Sequence, residues 1–209
     1  MIHNAIQKRR LLREGQILDE ALAIIVESGL GGLTVARLSK RMGWTVGAMY
    51  RYFSGKDQLI ATLNARILVD WTVRSDALLA TQTDGSALER LAAVLDLWIQ
   101  LAHERPAEFG LISLTLADPR NLVEDVADAV HVPAMLALLS RVTDLLLAAA
   151  ESGALTANDD PFGRALQLVF ACHGVLQLRK LERFDAVAFD TRALAGRTVH
   201  DLLTAWEAP

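Results

Sequence analysis

The sequence is poor in residues on which several classes of protein depend. Its 209 residues include one cysteine, Cys172, which excludes an intrachain disulfide framework and a cysteine-rich metal site. Only five prolines are present, and no uninterrupted apolar run reaches the roughly 18 to 20 residues that a membrane span needs. The basic start of the chain lacks an apolar stretch followed by a small-residue cleavage site, as a secretory signal would have. These absences predict a folded cytoplasmic protein without a membrane segment.

Patterns typical of β-strands are also missing, because alternating apolar runs bounded by turns do not occur. Apolar residues instead recur at the three- and four-residue spacing of helices. The sequence therefore predicts an all-α protein. We expect helices over about residues 5–28, 34–42, 45–53, 56–79, 106–116, 134–151, 162–182 and 188–206, and an apolar stripe at helical spacing over residues 88–102 predicts another. A further helix is expected to start at Asp118 and Pro119 and to break or kink at Pro133.

The charge is distributed unevenly along the chain. Residues 1–66 contain ten Lys and Arg against five Asp and Glu, a net charge of +5, and the remaining residues contain 11 against 20, a net charge of −9. A basic end on an otherwise acidic protein indicates a local surface for a polyanion such as nucleic acid. Chance clustering of basic residues on solvated helix faces is the alternative.

The basic end contains two short helices separated by a turn at Gly43. Thr34 and Thr45 are placed to cap these helices, because a threonine hydroxyl accepts a hydrogen bond from a free backbone N–H at a helix start. Two short helices joined in this way form the helix-turn-helix pattern, in which the second helix enters the major groove of DNA. The spacing alone is equally common in helical bundles that bind no DNA.

The detailed pattern is more specific than the spacing. Residues 34–59 read TVARLSKRMGWTVGAMYRYFSGKDQL and resemble the DNA-binding segment of TetR-family transcriptional regulators. The positions that match the family pattern are Thr34, Val35, Leu38, Gly43, Thr45, Gly47, Met49, Tyr50, Tyr52, Phe53, Lys56 and Leu59. Trp44 departs from the pattern, since a smaller aliphatic residue is usual in the turn. We expect it to pack between the two short helices, and contact with a sugar-phosphate edge is the alternative.

The resemblance implies a role in DNA binding for residues of this segment. Thr34, Thr45, Tyr50, Tyr52 and Lys56 would contact backbone phosphates. Val46, Gly47 and Ala48 would face the bases, and polar readout would fall to Arg37, Lys40 or Arg51, with DNA shape adding selectivity. Helical spacing places Val35, Leu38, Met49, Phe53 and Leu59 in the core. Arg9, Arg10 and Arg13 form either an arm that contacts DNA or a solvated basic terminus.

The resemblance also implies two domains: residues 1–54 as the helix-turn-helix domain and residues 55–209 as a helical ligand-binding and dimerisation domain. The last two helices would form a homodimer that binds a palindromic operator in double-stranded DNA. The middle helices would enclose a small apolar or amphipathic effector, and core packing explains the same large residues equally well. The candidate ligand-binding residues are Trp71, Trp98, His103, Phe109, Met135, Phe170 and His173.

The resemblance favours a repressor that releases its operator when the effector binds. The sequence contains no catalytic constellation, phosphate loop or metal-ligand spacing, so we expect neither an enzyme nor a metal or other cofactor. The alternative function is a helical interaction or adaptor protein whose basic end binds an acidic partner.

Overall fold

A computed structural model describes residues 2–117, 125–157, 159–182 and 190–208 of the chain. These residues form α-helices and no β-strand, which confirms the predicted all-α class. The α-helices are α1 (Ile2–Gly32), α2 (Val35–Arg41), α3 (Val46–Met49), α4 (Lys56–Thr81), α5 (Ala87–Glu104), α6 (Pro106–Ala117), α7 (Asp125–Glu151), α8 (Pro161–Gln177) and α9 (Thr191–Ala205). A short 3₁₀ helix, Leu178–Leu181, follows α8.

Side-chain caps and glycines set several helix ends. Ser86 forms a capping box with Glu89 at the start of α5, and Asp160 and Asp190 cap α8 and α9. Within α1, Gly29 adopts a left-handed φ of 70°, so the regular helix breaks close to the predicted end at residue 28. The positive φ at this break is therefore adopted by a glycine, the residue that takes this conformation without a steric penalty.

Two expectations about the middle of the chain have different outcomes. The predicted helix start at Asp118 and Pro119 lies outside the described residues. At Pro133 the sequence predicts a break or a kink; the break is wrong, because α7 continues through this residue, and the kink stays a prediction. Proline removes one backbone hydrogen bond, and burial of the apolar side chains that follow it in α7, such as Leu138 and Leu139, offsets this loss.

The chain divides into two compact units. Unit 1 comprises residues 1–67 and 110–133, and unit 2 comprises residues 68–109 and 134–209. The sequence predicts a domain boundary between residues 54 and 55, and this boundary stays a prediction. The core of unit 1 is built by α1 to α4 and the segments that connect them, whose buried side chains include Ile17, Ala21, Ile24, Leu33, Leu38, Met49, Phe53, Leu59 and Leu63. Burial of these side chains fixes α2 and α3 against α1.

Unit 2 has its own core. Its buried residues include Leu91, Leu95, Trp98 and Ile99 of α5, Val142 and Leu146 of α7, Leu168 of α8, and Val199 and Leu203 of α9. Among the described residues, one segment, His131–Glu151, is long and apolar enough to cross a membrane by length and composition. Core helices meet the same criteria, and this segment buries Leu138, Leu139, Leu145 and Ala149 within the protein.

Candidate nucleic-acid interface

The two threonines predicted to cap the short helices do so. Thr34 Oγ1 accepts a hydrogen bond from the backbone N–H of Arg37 at 3.1 Å, and Thr45 Oγ1 accepts one from Ala48 at 3.2 Å. Both threonines are exposed. Because each hydroxyl acts as an acceptor in its cap, its O–H remains available to donate to an external acceptor such as a phosphate oxygen.

The second short helix, α3, exposes the edge that the sequence predicts for base contacts. Val46 is 42% exposed, Gly47 is also exposed, Ala48 is half-buried, and Met49 is buried in the core of unit 1. Tyr50, at the C-terminal end of α3, is 53% exposed. This edge therefore carries small apolar groups and one phenol, and it offers few hydrogen bonds to base edges.

Two of the cations predicted to contact DNA also bind inside unit 1. Lys56 Nζ donates a hydrogen bond to the Leu30 backbone oxygen at 3.1 Å, which leaves its other N–H donors available. The Arg37 guanidinium donates to Ser28 Oγ at 2.6 Å and to Glu27 Oε2 at 3.4 Å. Arg51 and Lys40 are exposed and have no hydrogen-bond or ion-pair partner among the described residues. Arg51 and Lys40 therefore keep all their hydrogen-bond donors available, whereas Arg37 uses some of its donors within unit 1.

Ion pairs between α1 and α2 were not anticipated from the sequence. Arg41 donates to Glu20 at 2.6 Å and to both carboxylate oxygens of Glu27 at 2.6 and 2.7 Å. The hydrogen bonds between Arg41 and Glu27 lower the pKa of the Glu27 carboxyl and raise the pKa of the Arg41 guanidinium. Glu20 and Glu27 stand seven residues apart, a spacing that places them on one helix face. The seven-residue spacing of these two glutamates is the feature of the sequence that could have indicated the ion pairs with α2.

A basic groove of about 720 Å³ lies beside these helices within unit 1. Its lining residues are Arg9, Arg10, Arg13, Trp44, Thr45, Ala48, Arg51 and Tyr52. Trp44, which the sequence predicts to pack between the two short helices, is half-buried beside this groove. It contacts Tyr52, with 5.5 Å between the ring centroids, and Arg13, whose Cζ lies 5.3 Å from the centre of the Trp44 ring. We refer to this site as the arginine groove.

Three of the predicted ligand-binding residues come together in unit 2. The His173 ring lies 4.8 Å from the Phe109 ring and 6.3 Å from the Phe170 ring, measured between centroids. Burial lowers the pKa of His173, so its imidazole is neutral at pH near 7. Nε2 of His173 is buried and has no hydrogen-bond partner among the described residues.

The other predicted ligand-binding residues have separate surroundings. Trp98 is buried, and its Nε1–H donates to Ser75 Oγ at 2.9 Å. Trp71 is 5% exposed, and its Nε1 has no hydrogen-bond partner within the described residues. His103 lies near Ile99 O and Thr191 Oγ1, and Met135 is half-buried. Core packing therefore accounts for Trp98 and His103, while Trp71 and His173 each leave a buried polar atom unused.

Cys172 and the acidic residues give no indication of a metal centre. Cys172 is buried next to His173 in sequence, and burial raises the pKa of its thiol to about 12. At neutral pH the thiol is therefore protonated and a poor metal ligand. Within the described parts of the chain, no group of three or more His, Cys, Asp or Glu side chains is placed to hold a metal ion.

The fold and the N-terminal unit define a class of protein: an all-α protein with a helix-turn-helix unit and a larger helical region. Residues 17–63 match the model of the family described as bacterial regulatory proteins, tetR family. This match supports the resemblance of residues 34–59 to the DNA-binding segment of TetR-family transcriptional regulators. This family consists of regulatory proteins that bind DNA and small-molecule effectors.

Relatives show where the similarity lies along the chain. HTH-type transcriptional regulator BetI 1 of Chromohalobacter salexigens is 33% identical over 87 residues, which are 41% of this chain and 42% of that protein. The match thus spans less than half the length of that relative. Nucleoid occlusion factor SlmA of Glaesserella parasuis is 28% identical over 189 residues, covering 90% of this chain and 76% of SlmA.

A solved structure supports the fold over most of the chain. The transcriptional regulator FadR of Bacillus subtilis, in complex with stearoyl-CoA, superposes with a TM-score of 0.71. It is 18% identical, and the superposition covers 90% of this chain and 97% of that one. At 18% identity, the similarity shows that the two chains share a helical fold.

Proposed function

We propose that this protein is a ligand-responsive transcriptional repressor that binds a palindromic operator in double-stranded DNA. The observation that carries the proposal is the exposed surface formed by the capped starts of α2 and α3 together with Tyr50, Arg51 and Lys56. Its hydroxyl, guanidinium and ammonium donors suit phosphate oxygens, and the small groups of Val46, Gly47 and Ala48 allow close approach to bases. Thr34, Thr45 and Tyr52 complete the proposed phosphate contacts.

The proposed effector is small and apolar or amphipathic, and it binds in unit 2. The aromatic cluster of Phe109, Phe170 and His173 supplies an apolar surface with one neutral imidazole. An unsatisfied buried polar atom costs about 1–3 kcal/mol, so a ligand that hydrogen-bonds Nε2 of His173 or Nε1 of Trp71 recovers this energy. Trp98, His103 and Met135 stay candidate contacts for the effector, although none of them has a buried polar atom without a hydrogen-bond partner.

Release of DNA follows from linkage between the two sites. The continuous helix α4 contains both Lys56, a proposed phosphate contact, and Trp71, a proposed effector contact. An effector that binds more tightly to a conformation with weakened operator contacts must lower operator affinity, at most by the ratio of its affinities for the two conformations. A ligand that binds tightly and leaves operator affinity unchanged contradicts this mechanism.

We propose a homodimer formed through α8 and α9. Phe162 and Phe170 of α8 are 39% and 43% exposed, and the half-buried Leu166 lies between them at four-residue spacing. The three side chains form an apolar stripe on one face of α8, and the half-buried Leu194 and Leu202 of α9 extend the apolar surface. A two-fold dimer would align two α3 helices with half-sites about one helical turn, ~34 Å, apart.

The proposal places the protein in the cytoplasm as a regulator without catalytic activity. Selection of bound fragments from the source genome, followed by footprinting, tests it directly. A protected site with two-fold symmetry supports the proposal. Amphipathic compounds, including stearoyl-CoA, are then added to the selected complex, and release of DNA is measured by fluorescence anisotropy. Weak binding without sequence preference, together with capture by acidic proteins, would favour the adaptor alternative.

A further inference from the structure

The arginine groove has two walls from distant parts of the sequence. The first turns of α1 contribute Arg9, Arg10 and Arg13, and the opposite wall is built from the turn before α3 and the residues up to Tyr52. Four of the eight lining residues are arginines and none is acidic. A concave site with this composition attracts an anion, because positive potential is focused between low-dielectric walls.

The arginines of this groove differ from the other arginines of unit 1 in their partners. Arg41 and Arg37 are paired with Glu20 and Glu27, so their charge is largely compensated within the protein. In the groove, Arg10 pairs with Glu14 at 2.8 Å. The remaining three, Arg9, Arg13 and Arg51, have no acidic partner among the described residues.

Trp44 gives one of these arginines a defined position. The Arg13 guanidinium lies over the Trp44 ring, and Trp44 in turn packs against the ring of Tyr52. A cation–π contact is electrostatic and does not consume the N–H donors of the guanidinium. Arg13 is therefore held against the opposite wall of the groove with its hydrogen-bonding capacity free, unlike a side chain on a mobile arm.

We propose that the arginine groove binds the sugar-phosphate backbone of DNA beside the base pairs that α3 contacts. Arg9, Arg13 and Arg51 bind phosphate oxygens, for which the planar guanidinium provides paired donors. Trp44 acts as a positioning residue for Arg13 and does not itself need to contact DNA. The inference rests on the proposed function and adds to it a second contact region on α1, outside the helix-turn-helix segment.

The test measures affinity for duplex DNA as a function of salt concentration by fluorescence anisotropy, using the selected operator and a scrambled duplex of equal length. For B-DNA, each lost phosphate contact reduces the slope of log K against log salt by about 0.9. Because the proposed homodimer carries each substitution twice, we expect R13Q and R9Q each to reduce the slope by about 1.8 on both duplexes, since phosphate contacts carry no sequence information. R192Q, which changes an exposed arginine on α9 in unit 2, is the matched control and should keep the wild-type slope.

Variants at residue 44 test the positioning role. W44L should weaken DNA binding of the wild-type protein. In the R13Q background it should cause little further loss of affinity, because both substitutions remove the same contact between Arg13 and a phosphate. W44F retains a ring and should give an intermediate loss, and thermal unfolding of W44F and R13Q shows whether the fold is kept. Fully additive effects of W44L and R13Q would overturn the positioning role.

The outcomes separate the two proposals. Unchanged salt slopes for R9Q and R13Q, with the operator preference of the wild type intact, would overturn the groove contact and leave the regulator proposal standing. A change in preference for A·T over G·C flanking pairs would also overturn it, because such a change indicates minor-groove reading. If the wild type binds both duplexes equally, the regulator proposal fails, whereas reduced slopes of the variants on both duplexes would still support the groove contact.

Discussion

Replacing Gly47 with alanine separates the contribution of α3 to folding from its contribution to DNA binding. Gly47 is exposed within α3, and a Cβ atom built at this position has no neighbouring heavy atom within 4 Å. The backbone of Gly47 has a negative φ, which alanine adopts without strain. The unbound protein therefore has room for the added methyl group.

The magnitude of the stability change follows from helix propensity. Glycine inside a helix is less favourable than alanine by roughly 0.5–1 kcal/mol, chiefly because glycine loses more backbone entropy on folding. We expect Gly47→Ala to raise the free energy of unfolding by about 0.5 kcal/mol, the lower end of this range, because α3 has only four residues. Urea denaturation followed by circular dichroism measures this change.

The same methyl group should weaken DNA binding. In our account Gly47 faces the major groove, where the absence of a side chain permits close approach of the α3 backbone. A methyl group there should reduce operator affinity by about tenfold or more, which corresponds to about 1.4 kcal/mol or more. A more stable variant with wild-type operator affinity would refute the placement of Gly47 at the DNA.

Gly43→Ala is the matched control for the folding argument. Gly43 also has open space around an added Cβ, but its φ is +70°. A left-handed conformation costs a residue with a Cβ roughly 1–2 kcal/mol, so this variant should lose stability. The two substitutions add the same methyl group, and we expect opposite changes in unfolding free energy. Destabilisation by both would contradict the dihedral argument.

Three predictions concern unit 2. Ser75→Ala should cost about 1–3 kcal/mol in urea denaturation, because the buried Trp98 Nε1–H loses its acceptor; an unchanged midpoint would refute this. Arg141 holds the pKa of Asp76 below its usual 3.8, so the pair stabilises the fold above that pH and its contribution is lost as pH falls through the lowered pKa. Wild type should therefore lose stability on acidification more steeply than Asp76→Asn, and at neutral pH the difference should stay below about 1 kcal/mol because the pair is half-exposed. Cys172, with its pKa raised to about 12, should react with a thiol reagent at about pH 8 far more slowly in the native protein than in denaturant, and equal rates would contradict its burial.

The features that sequence reasoning predicted depend on short-range chemistry. A threonine caps a helix through a backbone N–H two or three residues away, so Thr34 and Thr45 were identifiable from their neighbours alone. The same holds for glycines that end helices, since a left-handed φ is a property of one residue. Helical periodicity likewise identified Leu38, Met49 and Phe53 as buried residues of the helix-turn-helix segment.

The features that sequence reasoning missed depend on pairs of residues brought together by folding. Trp44 packs on Arg13, which lies 31 positions earlier in the chain (44 − 13), and no local pattern selects that partner. The ion pairs of Arg41 with Glu20 and Glu27 have the same origin. Among the predicted ligand-binding residues, large apolar side chains satisfy the requirements of a core and of a pocket equally, so composition does not distinguish Trp98 from Phe109.

The most direct test of the central claim is the ratio of affinities for a selected genomic site and a scrambled duplex of the same length. Both are measured at about 0.15 M salt, where non-specific phosphate binding is weak. Our account predicts at least about a thousandfold preference for the selected site, as specific DNA-binding proteins show. Affinities within a few-fold of each other would contradict the claim that this chain is a sequence-specific regulator.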